Sequence, residues 1–264
     1  EGGPGGGGNT DPGTPSDNCS SAATNPGEVG LINENGCNTG LPTETNIRPT
    51  QTPCADLNAK SINNDFLGKM QELSNNANGS VEAGITMYNT SPSYSNKKYG
   101  GVDSEGNSFV NLEADLTRAP DITGFMHCHL NILTIPDLRT LTVFSMSDFV
   151  VLAELVKDST VPVNKLGMYV TSDRGTFAIK LTNKQAIIDF ANYIKTNHDY
   201  VNTLYENKIV YSMTKKQQVK GLLELIKDSG VGSGIELYES DSDFKNWKKH
   251  YLDEDGKLKD QKCN

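Results

Sequence analysis

Histidine is scarce in this chain, with four in 264 positions. Long apolar runs are missing. None approaches the roughly 18–20 residues a helix needs to cross a bilayer, so no membrane span is expected. A signal-peptide pattern is also absent. The chain opens on Glu1 rather than Met and reads as a processed product or an excised piece, with any export signal upstream. Basic stripes are lacking: 24 Lys and Arg stand against 33 Asp and Glu, for a formal net charge of −9. Nothing is present to displace counterions from phosphates, which argues against nucleic acid and anionic membrane surfaces as partners. No Cys-x-x-Cys occurs among the five cysteines, which disfavours a structural zinc knuckle or a dithiol redox motif. The Pro-Cys-x-x-Cys of zinc deaminases is missing as well.

The shortage of large apolar side chains is uneven. Residues 1–53 are dominated by Gly, Pro, Asn, Thr and Ser, and cannot bury enough apolar surface to offset the entropy of ordering. This segment is expected to be a flexible linker. Residues 54–264 have ordinary globular composition and form the expected domain. Cys54 and Cys263 bracket it, so a disulfide joining its two ends is expected, with Cys19–Cys37 as a second pair in the linker and Cys128 left over. Such pairing requires an oxidising compartment, hence an exported protein: periplasmic, surface-bound or secreted.

Along the domain, apolar residues from Leu57 to Leu73 recur at helical spacing, with a break expected near Asn63-Asn64. Val81–Tyr88 reads as a strand, 89–107 as a loop or hairpin, and Ser108–Leu112 as a second strand. Residues 130–143 are apolar yet contain Pro136 and Arg139, and read as a flap. Ser145 or Ser147 caps a helix bearing Phe149, Leu152, Leu155 and Val156. Ser172-Asp173-Arg174-Gly175 joins two strands, 166–171 and 176–181. Asn183 caps a long helix reaching about Glu206, and Thr214 caps another. A strand follows at Ile235–Tyr238, then a polar tail containing Trp247 and Tyr251. Helices interspersed with hairpins indicate an α/β or α+β layer fold.

Two of the four histidines stand one residue apart, in Gly124-Phe125-Met126-His127-Cys128-His129. In a strand, residues i and i+2 share a face, so His127 and His129 aim together and Cys128 faces away. Paired imidazoles suit zinc, and a hydrolytic zinc needs a third protein ligand and an open position. Asp148 can be that ligand. Ser145, one helical turn earlier, can donate a hydrogen bond to a substrate carbonyl. By itself Ser145-x-x-Asp148 is a helix capping box; only the neighbouring histidines give it further meaning. The base must come from elsewhere. Glu82 is an acid within an apolar strand, and burial there would raise its pKa toward the range a base requires.

Glu82 in an early strand followed by Gly84, then His127-x-His129, then Ser145-x-x-Asp148, resembles the JAMM (MPN-plus) metalloproteases over about residues 80–180. The resemblance implies a cytidine-deaminase-like sheet flanked by helices and a single zinc on His127, His129 and Asp148. It also implies Glu82 as base, Ser145 as oxyanion donor, and hydrolysis of peptide or isopeptide bonds in a peptide or protein substrate. Three departures are visible: Leu130 stands where the family has Pro, the stretch from His129 to Ser145 is longer than usual, and the long tail after residue 181 is not in the minimal family pattern. The Gly-rich lead and Cys-bounded domain also resemble C-terminal modules of exported Bacteroidetes proteins.

Three rivals remain. A barrel amidohydrolase or phosphoesterase needs more ligands and usually about 250 residues, whereas only His198 lies between the paired motif and residue 249. A Cys128 nucleophile would face away from both histidines. A non-catalytic exported surface module that keeps the fold is the non-enzymatic alternative.

Overall fold

The computed structural model describes residues 52–102, 108–131, 141–210 and 212–263. The first apolar stretch forms two helices, α1 (Pro53–Lys60) and α2 (Asn64–Asn76). They part at the expected place, because Asn63 is extended and its side chain accepts the Phe66 amide at 2.9 Å. Thr52 and Pro53, expected in the linker, instead open α1: Thr52 caps it and Pro53 occupies its first turn, where no amide is needed. The rest of the expected linker and the Cys19–Cys37 pair lie outside the described residues.

There follow β1 (Ala83–Tyr88), β2 (Lys98–Tyr99), β3 (Gly101–Val102), β4 (Ser108–Phe109) and β5 (Ile122–Cys128). Then come α3 (Met146–Val156), β6 (Gly167–Ser172), β7 (Gly175–Leu181), α4 (Lys184–Thr196), α5 (His198–Lys208) and α6 (Lys215–Asp228). The chain ends in β8 (Ile235–Ser240), β9 (Trp247–Leu252) and β10 (Leu258–Lys262). Eight strands build one sheet in the order β10-β9-β8-β7-β6-β5-β1-β2, and β3 pairs with β4 separately. Helices cover both faces, so the α/β expectation holds.

Three expectations need correction. The helix from Asn183 is two helices, because Asn197 leaves helical geometry and turns its side-chain amide back onto the Tyr193 carbonyl at 2.9 Å. The strand expected from Ser108 to Leu112 pairs only over Ser108–Phe109. The polar tail around Trp247 and Tyr251 contains two strands, β9 and β10. Lysines on β9 hide its alternation but pair with neighbours: Lys248 with Glu239 at 3.0 Å, Lys249 with Glu236 at 2.5 Å.

The sheet divides two apolar layers. Leu57, Phe66, Met70 and Leu73 from α1 and α2 pack with Met126, Cys128 and Tyr169 on one face. Phe149, Leu152 and Val156 of α3 pack with α4–α6, Phe125 and Val170 on the other. Cys54 and Cys263 form the expected disulfide, tying the start of α1 to the end of β10 across 209 positions. Among the described residues no helix is long and apolar enough to cross a membrane.

Every paired neighbour in the large sheet is antiparallel except β5 and β6, which run parallel with α3 as the crossover. They touch at Gly124, where φ is +138° and an added Cβ would meet the Gly167 carbonyl oxygen at 1.7 Å. Only glycine meets both demands.

Candidate metal centre

His127 is the penultimate residue of β5, and His129 follows the strand directly. The alternation is as expected. Phe125 belongs to the α3-side layer, and His127 shares its face, with ring centroids 5.4 Å apart. Cys128 points to the α2 side, where its sulfur accepts the Ala83 amide and the Asn76 side-chain amide, each at 3.4 Å. Burial pushes that thiol up, so it remains protonated. After Cys128 the backbone stays tethered, because the His129 amide donates to the Thr171 carbonyl at 3.0 Å.

The two imidazole Nε2 atoms lie 3.1 Å apart. Asp148 Oδ1 lies 3.5 Å from His127 Nε2. Ligand atoms of His127, His129 and Asp148 all fall within 4.8 Å of one another. Two atoms bound tetrahedrally to one zinc at about 2.0–2.1 Å stand roughly 3.3 Å apart. The spacing fits one small ion between the three side chains, which can therefore hold a metal.

His129 is held by a short contact from Nδ1 to the Leu141 carbonyl. A carbonyl can only accept, so Nδ1 carries the proton and Nε2 presents its lone pair. Facing that lone pair, His127 Nε2 must bear a proton in the metal-free protein, shared between His129 and Asp148. The electrostatics agree. Burial drags His129 down to about 4, helped by the charge on His127. Burial acts the same way on His127, but Asp148 and then Glu82 outweigh it and raise its pKa. The Tyr169 main chain adds to that rise, although His127 Nδ1 makes no hydrogen bond of ordinary geometry.

Asp148 has two jobs, divided between its oxygens. Oδ2 accepts the Ser145 amide at 2.7 Å and the Ser145 hydroxyl at 2.9 Å, closing the capping box that starts α3. Oδ1 faces the histidines. Burial would raise this carboxyl, but His127, His129 and the Ser145 amide hold it down at about 2. Its place in the first turn of α3 also favours the anion.

Ser145 is thus beside the cluster, but its hydroxyl is engaged by Asp148 and by Ser147 Oγ at 2.8 Å. Acting as an oxyanion donor would require it to turn from both.

Glu82 stands just before β1, two residues from Gly84, which pairs with His127 across the sheet. Alternation puts Glu82 on the face that carries His127. It is 5 % exposed. Burial pushes its pKa up to about 7; the charge on His127 opposes this and that on Asp148 adds to it. The sequence reading of Glu82 as a buried acid is matched by its position here.

Two contributors carry little or no signal in the sequence. The Leu141 carbonyl orients His129, and a backbone oxygen leaves no mark in sequence. Phe144, whose ring centroid lies 6.3 Å from that of His127, walls the site, and only its apolar character pointed there. Residues 132–140 of the expected flap lie outside the described residues. Its two ends are anchored, Leu130 being buried and the buried Thr142 amide donating to Gln218 Oε1 at 2.9 Å. No protein-family model matches the chain, and no curated protein or solved structure matches it either.

Proposed function

We propose that this chain is a zinc-dependent hydrolase that cleaves peptide or isopeptide bonds, in the manner of the JAMM metalloproteases its motifs resemble. The observation that carries this reading is the convergence of two imidazoles and a carboxylate at zinc-ligand spacing, 3.1 and 3.5 Å, with a buried carboxyl on the same sheet face. The donor set, two nitrogens and one oxygen, is that of hydrolytic zinc sites, which leave a fourth position for water. A zinc ion held there would supply Lewis acidity, lowering the pKa of water and polarising the scissile carbonyl.

The remaining work falls to the chain's own side chains. Glu82, with a pKa of about 7, takes a proton from water at neutral pH and returns it to the departing amine. One water is consumed, the C–N bond breaks, and a carboxylate and a protonated amine leave, the nitrogen having taken both protons of the water. Leu141 keeps the His129 ring oriented, and the Ser145 amide keeps Asp148 aimed and ionised. Phe125 and Phe144 exclude bulk water from one side of His127. The Cys54–Cys263 disulfide supports a setting outside the reducing cytosol.

The test is elemental analysis of purified protein after chelation and reloading, together with turnover of a quenched-fluorescence peptide library. One zinc per chain is expected, lost in His129→Ala. Glu82→Gln should keep the zinc and lose hydrolysis. Absence of metal from wild type would leave a non-catalytic surface module; hydrolysis surviving Glu82→Gln would remove Glu82 as the base.

A further inference from the structure

Beside the candidate centre runs a groove of about 860 Å³ between α3 on one side and α4 and α5 on the other. Its size lies within the range of ligand-binding clefts. The walls are apolar: Leu141, Met146, Val150 and Val151 face Ile194 and Ile209. Its near end meets the residues that support the centre, Leu141 and Ser145, rather than His127, His129 or Asp148 themselves. Leu141 orients His129 through its carbonyl, and Ser145, at the same end, holds Asp148. The floor is fixed, because the buried Tyr205 hydroxyl donates to the Phe144 carbonyl at 3.0 Å.

We propose that this groove is the substrate subsite of the centre, and that it receives a peptide segment with adjacent bulky apolar side chains next to the scissile amide. The proposal rests on the reading of the site as a peptide hydrolase and adds the class of sequence it takes. Three features favour that occupant. Apolar walls reward leucine-sized side chains, which leave water when they enter. The flexible Met146 lets the groove accept more than one such shape. The rim is polar and carries both signs, with Lys195, Asn202 and Glu206 beside Ser147, as suits the amides of a peptide rather than a continuous hydrocarbon chain. Two other large clefts, of about 790 and 530 Å³, lie toward β8 and β9 and are lined by charged residues such as Lys215, Glu239 and Lys248.

The experiment reads binding rather than turnover. Zinc-loaded Glu82→Gln protein is titrated into a fluorescein-labelled peptide with two adjacent central leucines, and into the same peptide with serines there, and anisotropy is followed. The leucine peptide should bind at least about tenfold more tightly. Adding Val151→Glu should abolish that preference without changing zinc content. Val151 is 36 % exposed, so the substitution is compatible with folding, and Val151→Lys provides a second variant of opposite charge. Equal binding of the two peptides, or a leucine preference unchanged in both Val151 variants, would overturn the proposal. The two readings fail separately. Selective binding with no hydrolysis by zinc-loaded wild type sinks the hydrolase reading alone. Hydrolysis indifferent to leucine or serine at these positions sinks the groove alone.

Discussion

Glu82→Gln in the metal-free protein isolates the cost of burying one carboxyl. Glu82 has a folded pKa of about 7 against an ordinary 4.5, chiefly through burial. The sign follows from which state binds the proton more tightly. Here it is the folded state, so below pH 4.5 the group costs nothing extra, and as pH rises from 4.5 through 7 the folded protein loses stability. The gap between 4.5 and about 7, at about 1.4 kcal/mol per pH unit, gives a limiting loss of roughly 3 kcal/mol. Gln has the same shape and never ionises, so it escapes that loss. Urea denaturation in a chelator should show the variant gaining less than about 1 kcal/mol from this source at pH 5 and about 3 kcal/mol at pH 8. The quantity to read is the growth of the difference with pH, since any fixed effect of the amide cancels. A difference that stays flat between pH 5 and 8 would mean that Glu82 ionises as an ordinary surface carboxylate, and the argument for it as a base would go with it.

Other outcomes follow from the same contacts. Zinc competes with a proton for His127, so below its raised pKa zinc binding should release that proton and affinity should fall about tenfold per pH unit; calorimetry in two buffers of different ionisation enthalpy measures the proton count. Asp148→Asn should lose zinc, while Ser145→Ala should keep it with a stability loss near 1 kcal/mol from the missing cap, read by metal analysis and denaturation. Removing Cys54 and Cys263 opens a loop of 209 positions and should cost up to about 5 kcal/mol by loop-closure entropy; urea midpoints of the double Ser variant test this. Gly124→Ala should destabilise by more than about 2 kcal/mol, since both its φ and the Gly167 carbonyl oppose a side chain, and thermal melts would show it.

Local signals in the sequence carried much of this architecture. Asn63, Asn183 and Thr214 cap helices because their side chains satisfy amides in the following turn, a cue that needs no tertiary contact. The alternation about Cys128 was likewise readable, since it depends only on the pleat of one strand. What escaped was set by partners distant in sequence. The lysines of β9 look solvated until Glu236 and Glu239 of β8 are placed beside them. Asn197 interrupts a stretch whose apolar spacing, from Ile187 to Ile194, gives no sign of a break. Lys180 is a further case: it is fully buried and paired with Asp56 at 2.8 Å, though 124 positions separate them.

The capping-box and metal-ligand readings of Ser145-x-x-Asp148 first stood as competitors, and the fold makes them one device. A parallel pair needs a crossover that returns to the starting end, and in this sheet only β5 and β6 make that demand. The crossover helix α3 therefore begins near the carboxyl end of β5, where His127 and His129 stand. Open sheets place ligands at such strand ends for the same reason. The cap fixes where α3 starts, and so where Asp148 sits. It occupies one carboxylate oxygen and leaves the other toward the imidazoles. Moving the helix start by one residue would rotate that carboxylate by about 100° and take it out of reach. Retaining Asp148 while shifting the cap is thus a sharper test of the site than deleting a ligand. Inserting one Ala between Asp148 and Phe149 should leave the apolar face of α3 to re-register on its core, carry the capped Asp148 about 100° round the helix and abolish zinc binding. A variant so altered that still held one zinc per chain would show that Asp148 is not the third ligand.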